Sequence, residues 1–100
     1  MKAAQLTAPE TIELVDLPVP ECPPDGVLLA IKACGVCGSD LRRWKEGPGP
    51  GGPTVPGHEF AGEVVEVGAE VSEYAVGDHL AVAPDVHCLK CWYCSVGLYN

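Results

Sequence analysis

Apolar residues fall into short runs that glycine and proline keep apart. Lys2 to Thr7 predicts a first strand, and Ala8-Pro9-Glu10 a turn. Thr11 to Leu17 alternates loosely, with Ile12 and Leu14 set against Glu13, Val15 and Asp16, and predicts a second strand at an edge. Pro18, Pro20, Pro23 and Pro24 exclude helix from the connector that follows, because each fixes φ and lacks an N–H. After the turn signal Asp25-Gly26, Val27 to Cys34 is an almost unbroken apolar run and predicts the best strand of the first half. Gly35 and Gly38 bracket Cys37 as a turn, and Ser39 or Asp40 is the expected N-cap of a short helix through about Lys45. The Gly/Pro stretch 47–53 reads as a surface loop or as a flap beside a substrate pocket. Phe60 to Gly68 predicts a second strong strand, Ser72 to Val76 leads into a Gly77-Asp78 turn, and His79 to Ala83 predicts a last strand stopped by Pro84. There is no internal repeat. Short strands, many turns and one short helix indicate a mainly β barrel or sandwich.

Composition narrows this picture. One hundred residues make one small domain or a piece of a larger one. With 6% aromatics, Val, Ala and Leu must fill the core. The net charge of −8 removes the basic footprint that nucleic acid or an anionic membrane surface requires. Apolar runs are far shorter than the roughly 20 residues of a membrane span. Met1-Lys2-Ala3 does not open an apolar signal region, so the expected compartment is the cytoplasm. In that setting six cysteines favour metal over disulfides.

Two groups of residues carry that chemistry. Cys88, Cys91 and Cys94 are each separated by two residues, a spacing that wraps thiolates around one tetrahedral ion. A closed structural zinc site takes four ligands. The fourth is open between Asp85, His87 and a residue beyond Asn100. Upstream, Cys37, His58 and Glu59 offer the thiolate, imidazole and carboxylate mix of a catalytic zinc site, provided the loops after and before the two strong strands meet at one rim. Asp40 could then accept the second ring N–H of His58, and Ser39 could carry a proton to solvent. Plainer readings stand beside these. Cys37 can be a buried small hydrophobe, His58-Glu59 a surface pair, Cys34-x-x-Cys37 a redox pair and Cys34 a structural thiol. Cys22 reads as a loop thiol, His79 opens a strand, and neither His79 nor His87 has a matched partner.

Taken in order, Cys37-Gly38-Ser39-Asp40, Gly57-His58-Glu59-Phe60-Ala61-Gly62-Glu63-Val64, Val76-Gly77-Asp78 and the three-cysteine cluster resemble the zinc-dependent medium-chain alcohol dehydrogenases. The branch most like it holds the sorbitol (L-iditol) and threonine dehydrogenases. The resemblance implies a GroES-like catalytic domain: a partly open β-barrel with a short helix and a zinc-binding lobe. It makes residues 1–100 the incomplete N-terminal part, with the lobe at 85–100 truncated. It implies Cys37, His58 and Glu59 at a catalytic zinc, Glu59 bound directly or in exchange with water. Ser39 becomes the hydroxyl of a proton relay, Asp40 the support of His58, and Cys88, Cys91 and Cys94 ligands of a structural zinc. In the family a fourth cysteine follows at a slot matching position 102. Many members carry histidine two residues after the aspartate. Here that place is Arg42, which can steer an anionic cofactor phosphate.

The resemblance implies oxidation of a small alcohol or polyol with NAD or NADP. The cofactor is expected to belong to a Rossmann domain that this sequence lacks. The chain alone is therefore expected to be inactive, and the full-length protein to be a homo-oligomer. The competing expectations are a stand-alone zinc-binding or interaction module and a non-catalytic chaperonin-like barrel. An isolated fragment is also expected to expose apolar surface.

Overall fold

The computed structural model describes residues 1–99. Strands β1 (Lys2–Ala8) and β2 (Thr11–Asp16) form an antiparallel hairpin. Strands β3 (Val27–Cys34), β4 (Phe60–Val67) and β5 (His79–Ala81) form a second antiparallel sheet in that order. Helix α1 (Gly38–Glu46) connects β3 to the loop before β4, and a single turn, α2 (Trp92–Ser95), lies near the end. The fold is mainly β and partly open, with the strands where the apolar runs predict them. The last strand ends at Ala81 instead of Ala83, and Val82 adds only one bond, its N–H donating to the Phe60 carbonyl at 3.0 Å.

Edge position explains the weak alternation of β2. It pairs on one side only, and its residues are mostly exposed, including Leu14. The hairpin is tied to the rest through Leu6, whose N–H and carbonyl bond to Thr54 at 2.8 and 3.2 Å. Leu6 and Val64 are the fully buried large side chains among the described residues. Each contributes about 1.5–3 kcal/mol by its removal from water. That is a thin core, and the radius of gyration of 15.9 Å exceeds the roughly 13 Å usual for 100 compact residues. The continuous apolar run of β3 is accordingly not buried on both faces. Val27, Leu29, Phe60 and Val65 instead line an apolar cleft of about 550 Å³.

Helix α1 starts earlier than its sequence signals. The N-cap is Cys37, not Ser39 or Asp40. The Asp40 carboxylate accepts the Cys37 backbone N–H at 2.8 Å, so the expected capping residue works from the third helical position, as in a capping box. Asp40 in the first turn and Arg43 and Lys45 in the last suit the helix dipole. The helix has two different faces. Leu41 and Trp44 look into an apolar cavity of about 410 Å³, while Ser39, Arg42, Arg43 and Glu46 line a polar one of about 310 Å³.

Candidate metal centres

The pairing of β3 with β4 builds the first centre. Cys34 lies opposite Phe60, so residues just after β3 must neighbour residues just before β4. The Gly35 N–H donates to the Glu59 carbonyl at 2.8 Å and closes the two loops on each other. Cys37, His58 and Glu59 thereby each present a donor atom, and all three lie within 4.8 Å of one another. Donors held tetrahedrally at about 2.0–2.3 Å from zinc lie about 3.3–3.8 Å apart, so this set fits with small adjustment. Three protein ligands of mixed type also leave a position for substrate or water.

Asp40 links the helix to this centre. One carboxylate oxygen caps Cys37, and the other lies 3.6 Å from His58 Nδ1. That is longer than a hydrogen bond, but it sets the negative charge on the Nδ1 side and leaves Nε2 for an ion. The Ser39 side chain, then the Ser39 backbone N–H and the His58 ring, hold the Cys37 thiol below its ordinary range. The same contact with Cys37 raises His58, burial opposing it and the Asp40 charge adding to it. Thiol and ring therefore favour the charged pair, the state in which sulfur is ready to ligate.

Two glycines make the approach possible. Gly57 has φ +107°, a conformation side chains rarely adopt, and a Cβ there would sit 2.8 Å from Cys34 Sγ. A Cβ on Gly35 would sit 2.5 Å from a Glu59 carboxylate oxygen and 3.2 Å from Glu59 Cβ. Gly57→Ala is expected to cost about 2 kcal/mol from backbone strain, read as a lower midpoint in urea. Gly35→Ala should act on the site instead, because the flexible Glu59 side chain yields first. Its cobalt affinity is expected to fall by about 10-fold, comparable to losing a residue that orients a ligand.

The second centre sits in the segment after β5. Cys88 and Cys94 sulfurs are 3.8 Å apart, and Cys91 and Cys94 sulfurs 3.5 Å. The edge of a tetrahedron with Zn–S bonds of about 2.3 Å is about 3.8 Å, so the three thiols stand where one ion needs them. Backbone N–H groups of Lys90 and Cys91, then the Cys91 and Cys94 side chains, bring the Cys88 pKa down to about 7. Cys91 caps α2, whose turn carries Cys94 back towards Cys88. The sequence signals held no hint of this helix. His87 is stacked on Tyr99 with ring centroids 4.3 Å apart and takes no part in the donor group. Cys34 likewise stays outside the first group.

An incoming ion must displace the thiol proton. With the Cys88 pKa lowered to about 7, this thiol offers little proton competition above that pH. Cobalt binding at the cluster, followed by thiolate charge-transfer absorption, should weaken more steeply as pH falls through about 7, where Cys88 takes up its proton. No added steepness below about pH 7 would contradict the lowered value.

Sequence comparison adds the family. The profile described as alcohol dehydrogenase GroES-like domain matches residues 23–100. The chain belongs to that family. It is 41% identical over 104 residues to sorbitol dehydrogenase of Bacillus subtilis, covering 100% of the chain and 30% of that protein. It is 42% identical over 105 residues to L-threonine 3-dehydrogenase of Pyrococcus furiosus, again 100% and 30%. The crystal structure of galactitol-1-phosphate dehydrogenase from Escherichia coli superposes with a TM-score of 0.88 at 33% identity, over 99% of this chain and 29% of that one. The chain thus spans about 30% of the length of these relatives, and the expected polyol and threonine branch is the one they represent. No helix among the described residues is long and apolar enough to cross a membrane.

Reading the sequence alone misses Arg43, Glu46 and the Gly35–Glu59 contact. The signal for the first two was available: on a helix they share a face with Ser39, four and seven residues on.

Proposed function

We propose that this chain is the metal-binding part of the catalytic domain of a zinc-dependent alcohol or polyol dehydrogenase, with NAD or NADP held by a Rossmann domain of a longer polypeptide. The observation that carries the reading is the meeting of Cys37, His58 and Glu59 donors within 4.8 Å, on loops that the β3–β4 register brings together. The kinship with proteins named sorbitol and L-threonine dehydrogenases supports a secondary alcohol as substrate.

Zinc at this site would supply Lewis acidity to the substrate hydroxyl, and the nicotinamide the hydride acceptor. The chain's own residues do the rest. Ser39, next but one to Cys37 and on the polar cavity that His58 also lines, takes the hydroxyl proton towards solvent. Asp40 holds the His58 ring from its Nδ1 side and keeps helix α1 seated through its cap on Cys37. Cys88, Cys91 and Cys94 hold a second zinc with a structural role. From a secondary alcohol the products are a ketone, reduced cofactor and a proton.

The test is turnover. The polypeptide containing this chain, with two zinc per chain, should reduce NAD or NADP in the presence of polyols, threonine or simple alcohols. A protein that binds zinc and dinucleotide yet oxidises none of them would favour the stand-alone binding module.

A further inference from the structure

Helix α2 puts two of the three cluster sulfurs on one turn. Cys91 is its N-cap and Cys94 its third residue, and the Ser95 N–H donates to the Cys91 carbonyl at 3.1 Å to close the turn. Residues three apart on a helical turn have Cα atoms about 5 Å apart, inside the window of about 4.4–6.8 Å that a disulfide spans. The Cys91 and Cys94 sulfurs already lie 3.5 Å apart. A disulfide bond is about 2.05 Å long, so side-chain rotation closes the gap and the backbone stays in place. Cys88 is placed differently. Its sulfur is 3.8 Å from Cys94, and the chain reaches it through Leu89, whose φ of +54° is uncommon for a branched side chain. Drawing Cys88 onto Cys94 pulls on that turn.

Exposure gives the pair a direction. Cys91 is exposed and Cys94 half-buried. An oxidant from solvent therefore meets Cys91 first, with Cys94 beside it as the resolving thiol. The first centre has no such partner. Cys37 shares its donor group with an imidazole and a carboxylate, and the Cys34 thiol stays outside that group, 3.5 Å from the Gly35 carbonyl oxygen. Both centres contain thiolate ligands, but only the second offers a neighbouring thiolate to trap an oxidised sulfur.

We propose that Cys91 and Cys94 are a reversible oxidation site, converted by hydrogen peroxide to a disulfide that dismantles the second metal centre and leaves the first intact. The Cys91 thiolate attacks one peroxide oxygen, the O–O bond breaks, and hydroxide leaves, giving a sulfenic acid. The Cys94 thiolate attacks that sulfur, the S–S bond forms, and the second oxygen leaves as hydroxide. Two thiolates are oxidised, one peroxide is reduced, and two protons from solvent complete two waters. Cys88 alone then remains of the three ligands and cannot hold zinc. The proposal rests on the reading of this cluster as a zinc site.

The test treats the zinc-loaded polypeptide containing this chain with equimolar hydrogen peroxide. Released zinc is followed with a chromophoric chelator, and the thiols are alkylated and mapped by mass spectrometry after trypsin. Zinc content should fall from two ions per chain to one, while Cys37 remains an alkylatable thiol. Lys90 lies between Cys88 and Cys91, so cleavage after it separates the two possible bridges. The expected product is one peptide beginning at Cys91 that has lost two hydrogens. Dithiothreitol and added zinc should restore both thiols and the second ion. A bridge joining the Cys88 peptide to the Cys94 peptide overturns the assignment. Loss of zinc from the first centre ahead of the second, sulfinic acid formed without a disulfide, or both ions retained with free thiols each overturns the proposal. Metal analysis before peroxide separates this idea from the one beneath it. A protein that carries no ion at the cluster yet forms the Cys91–Cys94 disulfide keeps the oxidation site and sinks the zinc reading alone.

Discussion

Cys37→Ser is expected to remove one of two zinc ions per chain and, on the proposed function, to lower kcat/KM of the polypeptide containing this chain by at least about 1,000-fold, the factor that corresponds to about 4 kcal/mol of lost charge stabilisation. A serine hydroxyl stays protonated at neutral pH and is a poor ligand where a thiolate was a good one. The substitution is otherwise mild. Cys37 is the N-cap of α1, and serine is among the best residues for that position. Its backbone N–H can still donate to Asp40 as it does now at 2.8 Å. The helix, the Asp40 contact with His58 and the strand register should therefore survive, which isolates the loss to the ion. Elemental analysis and steady-state kinetics read the two effects. Two zinc ions retained with unchanged kcat/KM would remove Cys37 from the site.

Cys91→Ser should act on the other centre and in another way. The segment after β5 has little apolar burial to hold it. Val86 is 98% exposed, Leu89 74% and Trp92 65%. What organises it is the convergence of three sulfurs and a single helical turn. Binding of a structural zinc is folding free energy, about 10–16 kcal/mol in small zinc modules. Losing one of the thiolates should weaken the metal by more than about 100-fold, since even removal of a supporting partner costs about 10- to 100-fold. The amides of Ser95, Val96 and Leu98, which bond to the Cys91, Trp92 and Tyr93 carbonyls, should then exchange freely. Amides of β3 and β4 should stay protected, because their ladder does not involve the segment. Hydrogen exchange under reducing conditions, which keep Cys88 and Cys94 from pairing, makes the comparison. Unchanged protection at Ser95 to Leu98 in the variant would mean the cluster does not organise this part of the chain.

The strands were legible because their signals are local. Val27–Cys34 and Phe60–Val67 are apolar runs bounded by Gly and Pro, and they lie within a residue of where those boundaries put them. The three-cysteine cluster was legible for the same reason: its spacing is short enough for a single turn to deliver it. Helix α1 was legible in existence but not at its first residue. Ser39 and Asp40 are both common N-caps, and choosing between them, or Cys37, depends on which backbone N–H the carboxylate meets. Helix α2 left no trace, since Trp-Tyr-Cys-Ser has neither a helical pattern nor a polar cap.

Cys37, His58 and Glu59 mark the division between the two kinds of knowledge. Their residue types and order along the chain suggest a ligand set, and a buried thiol beside a surface His-Glu pair would share the same letters. Only the antiparallel register, with Cys34 opposite Phe60, places the two loops side by side. That register comes from backbone bonds along the whole β3–β4 ladder and from burial such as that of Val64. The arginines follow the same rule. Composition counts Arg42 and Arg43 as two of six cations, and helical spacing puts them on the face of Ser39. That they have no carboxylate within 4.0 Å among the described residues and open onto a cavity shared with Asp40, Glu46 and His58 was decided by packing, because ion pairing depends on distances across the fold that no local stretch of sequence encodes.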